Sequence, residues 1–187
     1  MSTLATQIRD AMYGRIIAAF PAGTFLSTRK LPFPTIQADQ LPGLGVYLLR
    51  EQMSPDGDDN VGPPRYMVDA VISVMIIDLA SDPSVLEGSI DSKIDQVEET
   101  LLTDYTFLDL RESATDQPII ESVPQITRTY QFPRDGDRYY IEARLQMTFR
   151  FRCKFPPKLI NDLHEIDVDV RQGGDDFHET FTITAGP

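Results

Sequence analysis

Between Tyr139 and Pro157 the chain alternates apolar and polar residues almost without a break. Ile141, Ala143, Leu145, Met147, Phe149, Phe151, Cys153 and Phe155 take the apolar positions. Glu142, Arg144, Gln146, Thr148, Arg150, Arg152 and Lys154 take the polar ones. A period of two marks a strand with one buried and one wet face. From Ile141 to Phe155 it would run about 50 Å at about 3.3 Å per residue, and a strand that long usually bends or passes from one sheet into another.

The other elements follow from the same reading. Leu4, Ile8, Ala11, Met12, Ile16 and Ala19 recur at helical spacing, which predicts a helix over Thr3 to Phe20 that Pro21 ends. Pro32, Pro34 and Pro42 punctuate a connector. A strand is expected over 44–52, then an acidic loop over 54–64, then a second strand over 65–79. One face of that second strand is Tyr66, Val68, Ala70, Ile72, Val74 and Ile76, and the other is mixed, as in a central strand covered on both sides. Asp82-Pro83 pairs an N-cap acceptor with a first-turn proline. Leu86, Ile90, Ile94, Val97 and Leu101 then mark one face of a helix over about 83–103. Residues 120–132 and 138–152 read as a hairpin around Asp135-Gly136.

After Pro156-Pro157 the pattern thins. Residues 159–187 carry seven acids against one arginine, with Ile166, Val168 and Val170 alternating with acids and Phe177, Phe181 and Ile183 in an extended series. So little apolar residue cannot build a core of its own. The expected organisation is a domain over 1–157 and an acidic C-terminal arm over 158–187, with Phe177, Phe181 and Ile183 as its contact residues. The fold class is α+β: a mostly antiparallel sheet, two helices packed on one face, a long C-terminal hairpin strand and the extended arm.

Charge changes the picture. The 187 residues have a formal net charge of −12, which opposes general affinity for nucleic acid or anionic membrane. Yet residues 138–158 carry six basic groups and one acid. Three readings of this basic face stay open: its residues pair with acids on neighbouring strands; they meet the acidic loop or arm of another copy, as in rings built from head-to-tail contacts; or they contact nucleic acid, with Tyr139 and Tyr140 nearby. Cys153 is the only cysteine, so no internal disulfide forms, and its place on the apolar face reads as a small buried hydrophobe. The N-terminus lacks the layout of a signal peptide, and no apolar run approaches the roughly 20 residues of a membrane span. The expectation is a soluble protein made in the cytoplasm.

Candidate chemistry is sparse. There is no P-loop, G-x-G-x-x-G or G-x-S-x-G, and His164 and His178 both lie in the acidic tail. Cys and His are too few for a zinc site. Asp56, Asp58 and Asn60 have the first spacings of a calcium loop, but Val61 and Met67 stand where an EF-hand needs glycine and glutamate. Asp91-Ser92-Lys93 has the acid-x-lysine form of a nuclease but falls on a predicted helix. The chain reads as non-enzymatic, with no metal and no cofactor.

Four stretches together resemble the tail terminator (tail completion) proteins of long-tailed bacteriophages, the lambda-type minor tail family. These are QIRDAMYGRIIAAF, LPGLGVYLLREQ with its acidic loop, YMVDAVISVMIIDLASDPSVLEGSIDSKIDQVEETLL, and the closing hairpin ITRTYQFPRDGDRYYIEARLQMTFRFR. They cover roughly residues 5–152, and the match is one of pattern and order. The chain departs from the family in continuing with FPP and the acidic arm. The resemblance implies a structural virion protein: a hexameric ring on the finished tail tube that stops its growth, docks the head-completion or neck protein, and lets DNA pass without sequence-specific binding. Its partners would be copies of itself, the tail tube protein and the head-completion protein, with no membrane. Its place would be the head-proximal end of the tail, after synthesis in the host cytoplasm. Arg144, Arg150, Arg152 and Lys154 would serve the sheet face or a ring contact, and Asp56, Asp58 and Asp59 would lie on a loop at one end of the ring. Two alternatives stand beside it: another neck or connector protein of the particle, and a small metal-dependent hydrolase.

Overall fold

The long alternation becomes β6, Arg138–Lys154, in a computed structural model that describes residues 4–33, 37–57, 64–80, 83–112, 116–135, 138–155, 165–171 and 178–184. Its neighbour β3, Arg65–Ala80, pairs with it antiparallel from Arg65↔Lys154 to Ala80↔Tyr139 with no shift of register. A long strand is stable here because an equally long one runs beside it. It therefore stays in one sheet and does not cross into a second.

The remaining strands complete that sheet. β1 (Ser27–Arg29) runs parallel to the start of β2 (Gly43–Pro55), and β2 is antiparallel to β3. On the far side, β4 (Ser122–Gln131) is antiparallel to β6, and the two-residue β5 (Arg134–Asp135) pairs with the start of β6. The order is β1-β2-β3-β6-β4. Because β3 and β4 are both antiparallel to β6, they run parallel to each other. The helices between them, α2 (Pro83–Leu102) and α3 (Tyr105–Leu108), cross over β6 to join them. The fold is α+β, with α1 (Leu4–Ala19) as the third helix.

The core follows the period-two and helical patterns. Ala5, Ile8, Met12 and Ile16 of α1 and Ile90, Ile94, Val97 and Leu101 of α2 are buried against one sheet face. That face is Leu44 and Val46 of β2, the even positions Val68 to Ile76 of β3, and Ile141 to Phe151 at odd positions of β6. Phe107 of α3 closes this core edge-to-face on Phe149, with ring centroids 5.8 Å apart. Lys93 of α2 reaches Asp78 of β3, Nζ to Oδ2 2.6 Å, and the other carboxylate oxygen accepts from the Leu79 backbone N–H. Arg128 of β4 spans two carboxylates of α2: Glu98 through Nε and Nη2, both at 2.6 Å, and Asp95 through Nη1 at 2.8 Å.

The opposite face carries a smaller cluster of Leu41, Tyr47, Met75 and Ile77, with Phe33, Leu79 and Tyr140 packed on it. The proline-punctuated connector lies here. A Cβ on Gly45 would stand 3.1 Å from the Leu31 carbonyl oxygen and 3.3 Å from the Phe33 ring, so a larger residue there would push the connector back by a few tenths of an ångström. Covered on both faces, β3 is buried from Ala70 to Asp78.

The chain divides into two compact units, Met1–Lys154 and Phe155–Pro187. The second contains one antiparallel pair, β7 (Glu165–Arg171) and β8 (His178–Thr184), in register from Glu165↔Thr184 to Arg171↔His178. Among the described residues no helix is long and apolar enough to cross a membrane.

Candidate functional site

Even-numbered residues of β6 face away from the helices, so Arg144, Arg150, Arg152 and Lys154 share the open face of the sheet. Register gives each a different neighbour. Arg150 lies between Asp69 of β3 and Ser122 of β4. Its Nε and Nη2 donate to the two Asp69 carboxylate oxygens, both at 2.8 Å, in a bidentate pair. The Arg150 guanidinium holds the Asp69 carboxyl below its ordinary value, and Asp69 raises that of Arg150 in return.

Arg152 bridges two segments. Its Nε donates to Asp56 Oδ2 and its Nη1 to Glu121 Oε1, each at 2.9 Å. Asp56 follows the last residue of β2, and its backbone N–H donates to the Arg65 carbonyl at 3.0 Å. Glu121 precedes β4, and its N–H donates to the Arg150 carbonyl at 2.8 Å. Arg144 pairs with Glu142 two residues earlier on the same strand. Lys154 is exposed, directly across from Arg65 in the ladder, with no ion-pair partner among the described residues.

Three of the four basic residues thus have acid partners within their own chain, and the pairs of Arg150 and Arg152 are wet. The Arg150 and Arg152 side chains are 41% and 51% exposed. Exposed pairs contribute about 0–1 kcal/mol each, so this face is neutralised more than it is stabilised.

Asp58, Asp59 and Phe177 lie outside the described residues. Phe181 stands opposite Val168, and Ile183 opposite Ile166, in the β7–β8 register. The acid-x-lysine stretch falls on α2 with its members engaged elsewhere. Lys93 holds Asp78, and Asp91 accepts from the Tyr130 hydroxyl, whose pKa is raised by burial first and by Asp91 second. Among the described residues no three His, Cys, Asp or Glu side chains come together as a metal site. Cys153 is half-buried against the core, and burial, then the Glu112 and Glu51 charges, push its thiol upward. A thiol so placed is a poor nucleophile.

A polar cluster at the start of α3 was not among the candidates. Asp104 caps α3, accepting from the Thr106 hydroxyl at 2.6 Å, the Thr106 N–H at 2.9 Å, the Phe107 N–H at 3.3 Å and Arg15 Nε at 2.5 Å. The Thr106 hydroxyl, then Arg15, lower its carboxyl to about 2. The signal was an aspartate two residues before a threonine at a helix start. A depressed carboxylate contributes stability above its unfolded pKa of 3.8 and loses it as pH falls through about 2. Asp104→Asn is therefore expected to melt below wild type at pH 5, with the gap closing as pH falls from 4 to 2. Melts that stay equally far apart from pH 5 to 2 would show that the carboxylate charge plays no part.

No family model matches the chain, and no curated protein matches it. Among solved structures, the chain is similar to one from the virion of a native gene transfer agent particle, at 14% identity and a TM-score of 0.31. That similarity covers 76% of this chain and 93% of the other.

Proposed function

We propose that this chain is a structural virion protein: a tail terminator whose copies form a hexameric ring at the head-proximal end of a phage tail tube. The observation that supports it best is the order of elements in the first unit. A helix, a hairpin with an acidic tip, a crossover helix and a closing hairpin follow one another along one sheet, as in the family the sequence resembles. In this reading the ring ends tube growth and offers its other side to the head-completion protein. DNA passes through the lumen without base-specific contact. Residues 158–187 form an arm, and Phe177, Phe181 and Ile183 are its contact residues.

The open face of β6 then serves as a contact between copies. Lys154 and Arg65 stand opposite each other at its end, and like charges directly opposed are unfavourable until an anion joins them. Asp56 lies just past the end of β2 beside them, and Asp58 and Asp59, which follow it in sequence, are the further acids assigned to this contact. Arg152 already holds Asp56 within the chain, so a contact between copies would exchange one such pair for another.

Negative-stain electron microscopy of the full chain over a wide concentration range tests the ring, with six-fold particles open at the centre as the expected result. The double reversal Arg150→Glu and Arg152→Glu tests the face. It should cost about 1–2 kcal/mol of stability, as three exposed pairs become repulsive, and it should abolish rings. Rings that persist in a folded double variant would remove the basic face from assembly. A ring located elsewhere in the neck of the particle would favour a different connector protein.

A further inference from the structure

The sheet of the first unit has an open side at β2. β1 pairs with β2 only through Gly43–Gly45. From Leu49 to Pro55, β2 pairs only with β3, and all seven residues are exposed. Among the described residues no strand occupies its other side. An edge of that length leaves a row of backbone N–H and C=O groups turned to solvent, which is a template for another strand. The second unit presents the reverse problem. β7 and β8 form a two-stranded sheet, and an isolated pair of strands is marginal in water.

The two features match in length and in charge. β7 and β8 have seven residues each, equal to the open stretch of β2. The sheet end beside that stretch comprises 49–55, 65–70 and 149–154. Of its basic groups, Arg50, Arg65 and Lys154 have no ion-pair partner among the described residues, against Glu51, while Asp69, Asp56 and Glu121 already hold Arg150 and Arg152. The β7–β8 strands carry Glu165, Asp167, Asp169 and Glu179 against Arg171. β4, the other sheet edge, is broken by a register shift between Ser122 and Gln125 around Pro124, as protected edges are.

From this match we infer that the β7–β8 hairpin of one copy adds to the Leu49–Pro55 edge of the next, extending its sheet by backbone hydrogen bonds. This rests on the ring reading above and names the contact that would hold the ring together. Strand addition supplies affinity through the main chain, and the opposed charges fix which partner is accepted. Edge and hairpin are different surfaces, so the contact is head-to-tail and propagates from copy to copy until it closes.

Disulfide trapping in the full chain tests it, in a Cys153→Ser background. One copy carries Met53→Cys. A second, of different tag length, carries Thr180→Cys, Thr182→Cys or Thr184→Cys. Because each copy holds one cysteine, a mixed cross-link joins two copies. The expected result is a mixed dimer from at least one β8 position, reduced more than tenfold by Asp167→Lys and Asp169→Lys. A copy carrying Thr127→Cys on β4 should not cross-link; a β4 product in place of the β2 product overturns the choice of edge. When Met53→Cys and a β8 cysteine share one chain, a cross-linked monomer in place of dimers shows the hairpin folded on its own copy and also overturns the inference. Rings by microscopy without a mixed cross-link overturn the hairpin contact and leave the terminator reading standing. Monomers at every concentration without a cross-link overturn both.

Discussion

Replacing Phe149 with alanine is expected to lower the unfolding free energy by about 3–5 kcal/mol. Phe149 is fully buried in the middle of β6, opposite Ala70 of β3 and edge-to-face with Phe107. Its removal takes away the transfer energy of a phenyl ring and leaves a cavity between the sheet and α3. The unbroken ladder with β3 holds the backbone of β6 in place, which limits how far the site can collapse to fill the space. For a chain of this length a loss of that size lowers Tm by on the order of 10 °C. Urea unfolding followed by circular dichroism measures it. Phe132→Ala, just after β4 and 59% exposed, is the internal comparison and should cost under about 0.5 kcal/mol. Equal losses at the two positions would mean that the core does not lie between α3 and β6.

Asp78→Ala is expected to cost about 3 kcal/mol, because it leaves the Lys93 ammonium in a mostly buried place without its counter-ion. The Asp78 and Lys93 side chains are 13% and 16% exposed, and the carboxylate also receives the Leu79 N–H. The pair fastens α2 to β3 near the start of the crossover. Replacing both partners with apolar groups, Asp78→Leu with Lys93→Met, should cost under about 1 kcal/mol, since no charge is then left buried. Single and double variants measured in urea give the coupling directly. If Asp78→Ala alone loses under 1 kcal/mol, Lys93 reaches water unaided and the pair behaves as a surface pair.

Elements with enough residues to show a period were legible in the sequence, and what sits between them was not. The alternation from Ile141 to Phe151 and the recurrences at Ile8, Met12 and Ile16 and at Ile90, Ile94, Val97 and Leu101 map onto the buried faces of β6, α1 and α2. The antiparallel hairpin of β4 and β6 is also where its turn residues place it. β1 was not legible, because three residues, Ser27–Arg29, are too few to show a period and backbone bonds to β2 hold them. α3 is four residues long, and only its cap marks it. The central pairing of β3 with β6 is a property of topology, since nothing local in either strand names its neighbour. The charge partners share this origin. Arg150 finds Asp69, and Arg152 finds Asp56 and Glu121, across 81, 96 and 31 positions of sequence. A sequence reading sees that β6 is basic; only the register shows which acids stand beside it.

The unbroken ladder between β3 and β6 also governs where the chain tolerates a change in length. Every residue from Tyr139 to Lys154 has a fixed partner, and residues alternate strictly between the helix side and the open side. One inserted residue in the middle of β6 would turn half the strand over, sending Phe149 and Phe151 to water and Arg150 and Arg152 into the core. β2 and β4 already absorb irregularities of this kind, at Leu48/Arg50 and Ser122/Gln125, because each has a neighbour on one side only at that point. The two central strands have no such slack. Gains and losses of residues in this fold therefore belong to its turns and its outer strands, and the central pair keeps its length.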